Sequence, residues 1–259
     1  MKPLTPISTP TRIALGVSFF VLFFAVWSVA TFGGYVSKTF LADPITMVKS
    51  GYTLITEMGF LKDIGMTVWR VVGGFLIAAA IALPLGVAMG AYKPIEAFFE
   101  PFVSFSRYLP ASAFIPLLIL WVGIGEEQKL AVIFIGSFFQ LVLMIAVVVG
   151  NTRRDLVEAA YTLGASDASL VKRVLIPSAA PEIAEILRMV LGWAWTYVIV
   201  AELIGASSGI GYMITNSQAL LATDQIIFGI IVIGVIGLVS DLLFKMANQK
   251  LFPWAALGR

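Results

Sequence analysis

Leu130-Ala-Val-Ile-Phe-Ile-Gly-Ser-Phe-Phe-Gln-Leu-Val-Leu-Met-Ile-Ala-Val-Val-Val-Gly150 runs from end to end without a charged side chain. A helix rising about 1.5 Å per residue crosses a hydrocarbon layer of about 30 Å in roughly 20 apolar residues, so this stretch spans a bilayer alone. Ile13 to Phe32 and Val71 to Ala91 are likewise uncharged, while Met189 to Ile214 and Ile226 to Phe244 carry one acid each, Glu202 and Asp241. Ala111 to Gly125 is shorter, contains Pro116 and follows Pro101, Arg107 and Pro110, so it spans only if it extends back toward Phe102. The expectation is an all-α, polytopic membrane protein forming a single domain over 1–259, with about six spans at 13–32, 68–91, 102–125, 130–150, 186–206 and 226–245. Ile45 to Phe60 reads as an amphipathic helix lying at the outer surface. The Arg12-led first span, followed by Thr31-Phe32-Gly33-Gly34, reads as a retained helix rather than a cleaved signal peptide.

Composition agrees and excludes much chemistry. The 259 residues are 59% hydrophobic and 12% charged, with mean hydropathy +0.97, too apolar for one water-soluble core. A formal net charge of +2 leaves no basic surface for nucleic acid. Zero Cys and zero His remove disulfides, thiolate metal sites and the commonest general base, so no catalytic residue and no metal site is expected. An intramembrane enzyme has little to build on.

Twelve of the 17 Lys and Arg fall on one side of a six-span arrangement: Lys2, Arg12, Lys93, Arg107, Arg153, Arg154, Lys172, Arg173, Arg188, Lys245, Lys250 and Arg259. Lys38, Lys49, Lys62, Arg70 and Lys129 fall on the other. By the positive-inside rule both termini and the polar loop 151–181 are cytoplasmic. Within that loop Leu156, Ala159, Ala160 and Leu163 recur at helical spacing. Asp155, with Glu158 three residues on, can cap this helix, and Gly164 suits the left-handed stop. Ser166 and Asp167 can cap a second helix to Ile176, which Pro177 ends, before Pro181 and Glu182 open the next span. Such a helix–Gly–helix elbow either docks in a partner's groove, with Tyr161 as its anchor, or rests on the membrane as an interfacial hairpin.

The string Glu158-Ala159-Ala160, three residues, Gly164, nine residues, Val174-Leu175-Ile176-Pro177 resembles the EAA loop of binding-protein-dependent ABC transporter permeases, with Val and Ile at conservative positions. Thr67-Val-Trp-Arg70-Val-Val-Gly-Gly74-Phe75, Arg107-Tyr-Leu-Pro110 with Ile115-Pro116, Trp121-Val-Gly-Ile-Gly125, Trp193-Ala-Trp195, Ala201-Glu202 and Gly209-Ile-Gly211 look like the branch importing nitrate, sulfonates, taurine or bicarbonate. The resemblance implies a MetI-like, type I importer permease in a bacterial inner membrane. It implies partners: a second permease copy in a homodimer, two cytoplasmic ATPases, and a periplasmic or lipid-anchored binding protein. ATP and Mg would sit on the ATPases, since no Walker A pattern occurs here and no cofactor is expected on this chain. Glu158, Ala159, Ala160, Tyr161, Leu163, Gly164, Ala165 and Pro177 become the ATPase-coupling residues.

Arg107, Trp193, Trp195 and Glu202 are candidates for the pathway or its gate. Glu202 also reads as a structural partner of Arg70, and Asp241 as a helix-face partner of Lys245 four residues on. Gly86-x-x-x-Gly90 and Gly205-x-x-x-Gly209 read as small-residue pairs for close helix contact. The competing transport class is an ion-coupled secondary carrier, which would use Glu202 and Asp241 to bind its ion.

Overall fold

The computed structural model describes residues 7–258; Lys2 and Arg259 lie outside them. Every regular element among these residues is helical. Five helices are long and apolar enough to cross a bilayer, and the bent pair α4 (Lys93–Ser106) and Ala111–Val122 makes a sixth crossing if it counts as one. Two compact units are distinguished: the described residues through Phe60 with Met213–Ile231, and Leu61–Tyr212 with the chain from Val232 onward.

In the first unit, α1 (Thr9–Phe32) starts at Ser8, whose side chain accepts from the Thr11 N–H. Trp27 fixes the following loop by donating its indole N–H to the Ala42 carbonyl at 3.0 Å. The expected surface helix is α2 (Pro44–Thr56), capped by Asp43, whose carboxylate accepts the Thr46 N–H at 2.9 Å and lies below its usual pKa, chiefly because of that bond. Gly51 lies flat against the Phe228 ring, and Ser50 hydrogen-bonds Asp224 at the start of α11 (Thr223–Leu251).

The second unit is built on α3 (Phe60–Ala91), α6 (Glu126–Gly150) and α9 (Ile176–Leu203). Glycines set the α3–α6 distance. A Cβ at Gly74 would stand 2.8 Å from Ile133, one at Gly86 2.8 Å from Ile145, and one at Gly90 2.6 Å from the Ala146 carbonyl. The backbones touch through these gaps, and Leu141, Val142, Ile145 and Val149 fill the core against Phe75, Ala79 and Ala82. Gly205 and Gly209 differ from the expected helix-contact pair. Both lie in the loop after α9 with φ of 70° and 111°, and together they turn the chain toward α10 (Ile210–Ala219).

Boundaries differ from the expected spans where polar groups or prolines are absorbed. α3 begins at Phe60 rather than at 68, because Asp63 in its first turn accepts the Gly209 N–H at 2.7 Å. The expected 102–125 span is broken: α4 and the helices after it, a 3-10 turn (Ala111–Phe114) and α5 (Ile115–Val122), bend by 84° across Arg107–Pro110. Pro177 does not end a helix. A π turn at Val171–Leu175, with the Ile176 N–H bonded to the Val171 carbonyl, shifts the register, so α8 (Asp167–Leu170) runs on into α9. Asp241 pairs with Arg188 at 2.6 Å rather than with Lys245, since it faces α9 and not its own helix surface.

At one end of these helices Arg70 is fully enclosed. Its Nε and Nη2 donate to both oxygens of Glu126 at 2.6 and 2.7 Å, and Nη1 donates to Glu202 at 2.7 Å and to the Ser208 carbonyl at 2.7 Å. Glu202, 1% exposed, also accepts from Thr67 Oγ1 at 2.8 Å and the Gly211 N–H at 2.8 Å. The Ile210 N–H in turn donates to Thr67 Oγ1 at 2.9 Å. α3, α6, α9 and the Gly205–Gly211 loop are thus tied by one satisfied ionic network.

Arg70→Met is expected to lower stability by about 3–5 kcal/mol by stranding Glu202, and adding Glu202→Gln should restore part of the loss; thermal unfolding of the detergent-solubilised protein reads both. Gly86→Leu should lower stability in the same assay, and Gly65→Ala, whose Cβ meets open space, should not.

Candidate functional site

The polar segment after α6 folds as the expected elbow, with two local differences. α7 (Arg154–Thr162) starts without a side-chain cap; Asp155 lies inside its first turn, ion-paired to Arg153 and accepting the Leu156 N–H at 3.0 Å. That pairing removes Asp155 from the capping role. At the other end Gly164 takes φ +81°, and the Ala165 N–H reaches back to the Ala160 carbonyl at 3.0 Å, closing the helix in a Schellman turn. Ser166 caps α8 by accepting the Ser169 N–H at 3.4 Å.

The apolar residues of α7 divide by direction. Val157 and Ala160 turn inward and pack on the α3–α6–α9 core. Leu156 and Leu163 point outward, Leu163 at 87% exposure, beside exposed Glu158, Ala159 and half-exposed Tyr161. Tyr161 donates its hydroxyl to Asp167 at 2.9 Å, which pins the α7–α8 bend and raises the phenol above its usual pKa. Pro177 follows the π turn and opens α9, so the exposed knob is continuous with a helix buried at its far end by Glu202.

The candidate pathway residues separate into two kinds. Trp195 is buried and donates its indole N–H to Ser240 Oγ at 3.0 Å, and Glu202 is locked in the Arg70 network. Arg107 and Trp193 are exposed; the Arg107 guanidinium lies 4.7 Å from the Tyr108 ring centre and bonds its hydroxyl at 2.8 Å. Both acids that an ion-coupled carrier would use are engaged by cations, Glu202 by Arg70 and Asp241 by Arg188. Buried Thr67 and the partly exposed Glu126, Ser208 and Asp63 complete the Arg70–Glu202 network, a role that the sequence does not single out. Their signal was present as polar residues at the ends of apolar runs, Glu126 just ahead of 130–150 and Ser208 beside Gly209-Ile-Gly211.

Residues 80–253 match the family model described as binding-protein-dependent transport system inner membrane component. A probable ABC transporter permease protein of Brucella melitensis is 35% identical over 244 residues, covering 94% of this chain and 98% of that protein. The taurine transport system permease protein of Escherichia coli is 30% identical over 254 residues, covering 96% and 92%. The structure of the MetNI methionine ABC transporter in inward-facing conformations superimposes with a TM-score of 0.61 at 19% identity, over 72% of this chain and 95% of that one. Its likeness supports the fold. An elbow carrying the EAA spacing, a multi-span helical core and this family match lead to one conclusion: the chain belongs to the binding-protein-dependent transport system inner membrane component family and is a permease of an ABC importer, a transport subunit and not an enzyme.

Proposed function

We propose that the exposed elbow of α7 and α8 is where the cytoplasmic ATPase engages, and that the imported solute is a small oxyanion or sulfonate. The observation that carries the first part is the outward display of Glu158, Leu163 and Tyr161 on a knob stiffened by Gly164 and the Tyr161–Asp167 bond. An apolar side chain as exposed as Leu163 at a sharp turn suits insertion into a partner's groove. Closure of two ATPases, which carry the ATP and Mg, moves two elbows together. Because α8, the π turn and α9 run without a break, that displacement is transmitted to the core as a rigid rotation.

In this reading two copies of the chain pair as a homodimer, each acting over its whole length as one permease domain. Both termini and the elbow face the cytoplasm of a bacterium, and a periplasmic or lipid-anchored binding protein delivers the solute from the other side. Exposed Arg107 and Trp193 face the pathway, while Trp195 and Glu202 position the helices that bound it. The solute class is supported by the taurine permease relative and by the sequence strings quoted above, with nitrate, sulfonate, taurine and bicarbonate as the candidates.

Gly164→Val strains a left-handed position, Leu163→Glu charges the tip, and Glu158→Lys inverts its sign. Each variant should assemble in the membrane yet lose most co-purifying ATPase and substrate-stimulated hydrolysis; normal uptake by all three would refute the coupling role. The chain has no native Cys, so single cysteines report topology directly. Ala159→Cys should react with an impermeant maleimide only after the cell is permeabilised, and Lys38→Cys should react in intact cells. In reconstituted vesicles holding the permease, its ATPase and its binding protein, uptake of labelled taurine, an alkanesulfonate, nitrate and bicarbonate discriminates the solute, and uptake of none of the four would reject the class.

A further inference from the structure

An open groove of about 780 Å³ lies between α3, α9 and the C-terminal part of α11. Its walls are apolar: Leu83 and Val87 of α3, Ala180, Ala184 and Leu187 of α9, and Phe244 of α11. The small Ala side chains create the space. Along α3 the lining reaches from Ala88 and Tyr92 back to Leu83, about 12 Å of rise from the helix end, and along α9 it runs from Ile176 to Leu187, about 16 Å. Half of a hydrocarbon layer of about 30 Å is about 15 Å, so the groove is as deep as one leaflet.

Cations are next in the chain to residues of its lining. Lys172 follows lining residue Val171, and Lys250 precedes lining residue Leu251. Both are exposed, as is Arg173, and among the described residues none of the three forms an ion pair, whereas Lys93, next to lining residue Tyr92, is paired with Glu96 at 2.5 Å. No lining residue is acidic; the polar ones, Tyr92 and Asn248, sit at the mouth end. An apolar slot one leaflet deep, opening among unpaired positive charges, is complementary to an amphiphile with an anionic head.

We infer that the groove between α3, α9 and α11 binds one anionic phospholipid, its tail among Leu83, Ala184 and Leu187 and its phosphate near Lys172 and Lys250. The inference rests on the proposed orientation only for which leaflet supplies the lipid; the cysteine labelling tests that orientation separately, and lipid retention does not depend on it. The site borders the coupling path. Val171 and Ile176 bracket the π turn between the elbow and α9, so a tail lying against both fills the space that this joint would otherwise be free to close.

The test uses the intact importer complex, purified and exposed to equal amounts of phosphatidylglycerol and phosphatidylcholine with the same palmitoyl and oleoyl tails, with retained lipid counted by native mass spectrometry. Phosphatidylglycerol should be retained about fivefold or more over phosphatidylcholine, the preference expected from even one lysine near a lipid head. Ala184→Trp should abolish retention of both lipids. Lys172→Gln combined with Lys250→Gln, both at exposed positions that leave the fold alone, should abolish the preference while a tail is still retained. Equal retention of the two lipids by the unmodified complex, an unchanged preference in the double lysine variant, or no retained lipid, as when a second protein chain covers the groove, would each overturn the proposal.

Discussion

A guanidinium cannot lose its charge inside a protein, and Arg70 is fully enclosed near one end of a membrane helix. Its five donors need acceptors, and the arrangement at that end follows from supplying them. Glu126 comes from the first turn of α6, Glu202 from the last turn of α9, and the Ser208 carbonyl from the loop beyond. The loop's glycines are part of the same constraint: a Cβ at Gly209 would stand 2.5 Å from Glu202 and 2.6 Å from Arg70. Two acids around one base leave an excess of negative charge, which buried Lys129, one turn along α6 from Glu126 and bonded to the Gly125 carbonyl at 3.0 Å, offsets. The network closes one end of the α3–α6–α9 core.

The rest of that core is held by proximity. Glycines on α3 let α6 approach until backbone atoms are in contact, which gains dispersion over the whole length without a hydrophobic driving force from lipid. α9 then completes the wall, fixed at its far end by Glu202 and in its middle by Trp195 on Ser240 and Arg188 on Asp241. At its other end α9 runs on from α8 through the π turn, where Pro177 is accommodated by a changed hydrogen-bond register instead of a break.

Several features were legible in the residues, and those that were not share a physical cause. Uncharged runs gave the apolar helices, because chain length and hydrocarbon thickness leave little choice. The EAA spacing and Gly164 gave the elbow, because a left-handed stop demands glycine. The stripe Leu156, Ala159, Ala160 and Leu163 marked one face of a helix, but the core takes Val157 and Ala160 and leaves Leu156 and Leu163 outside. Periodicity finds a helix face without saying what lies against it. Asp155 and Pro177 misled in the same way: a nearby Arg153 and a π turn offered alternatives that local rules do not weigh. Asp241 had two basic residues within reach, and only the packing of α11 on α9 chose Arg188.

By itself the sequence determined that the chain is helical and membrane-spanning, that it lacks the side chains for redox, thiol or histidine chemistry, and that it carries one elbow of defined spacing. These depend on composition and on contacts within a few residues, which a linear string contains. The tertiary structure decided that Glu202 is an enclosed partner of Arg70, that Leu163 is an exposed tip, and that Val171 and Leu251, the neighbours of Lys172 and Lys250, line one apolar groove. Each of these is a relation between helices far apart in the chain. Burial, pairing and exposure are set by the neighbours that packing supplies, and those neighbours are not named in the order of residues.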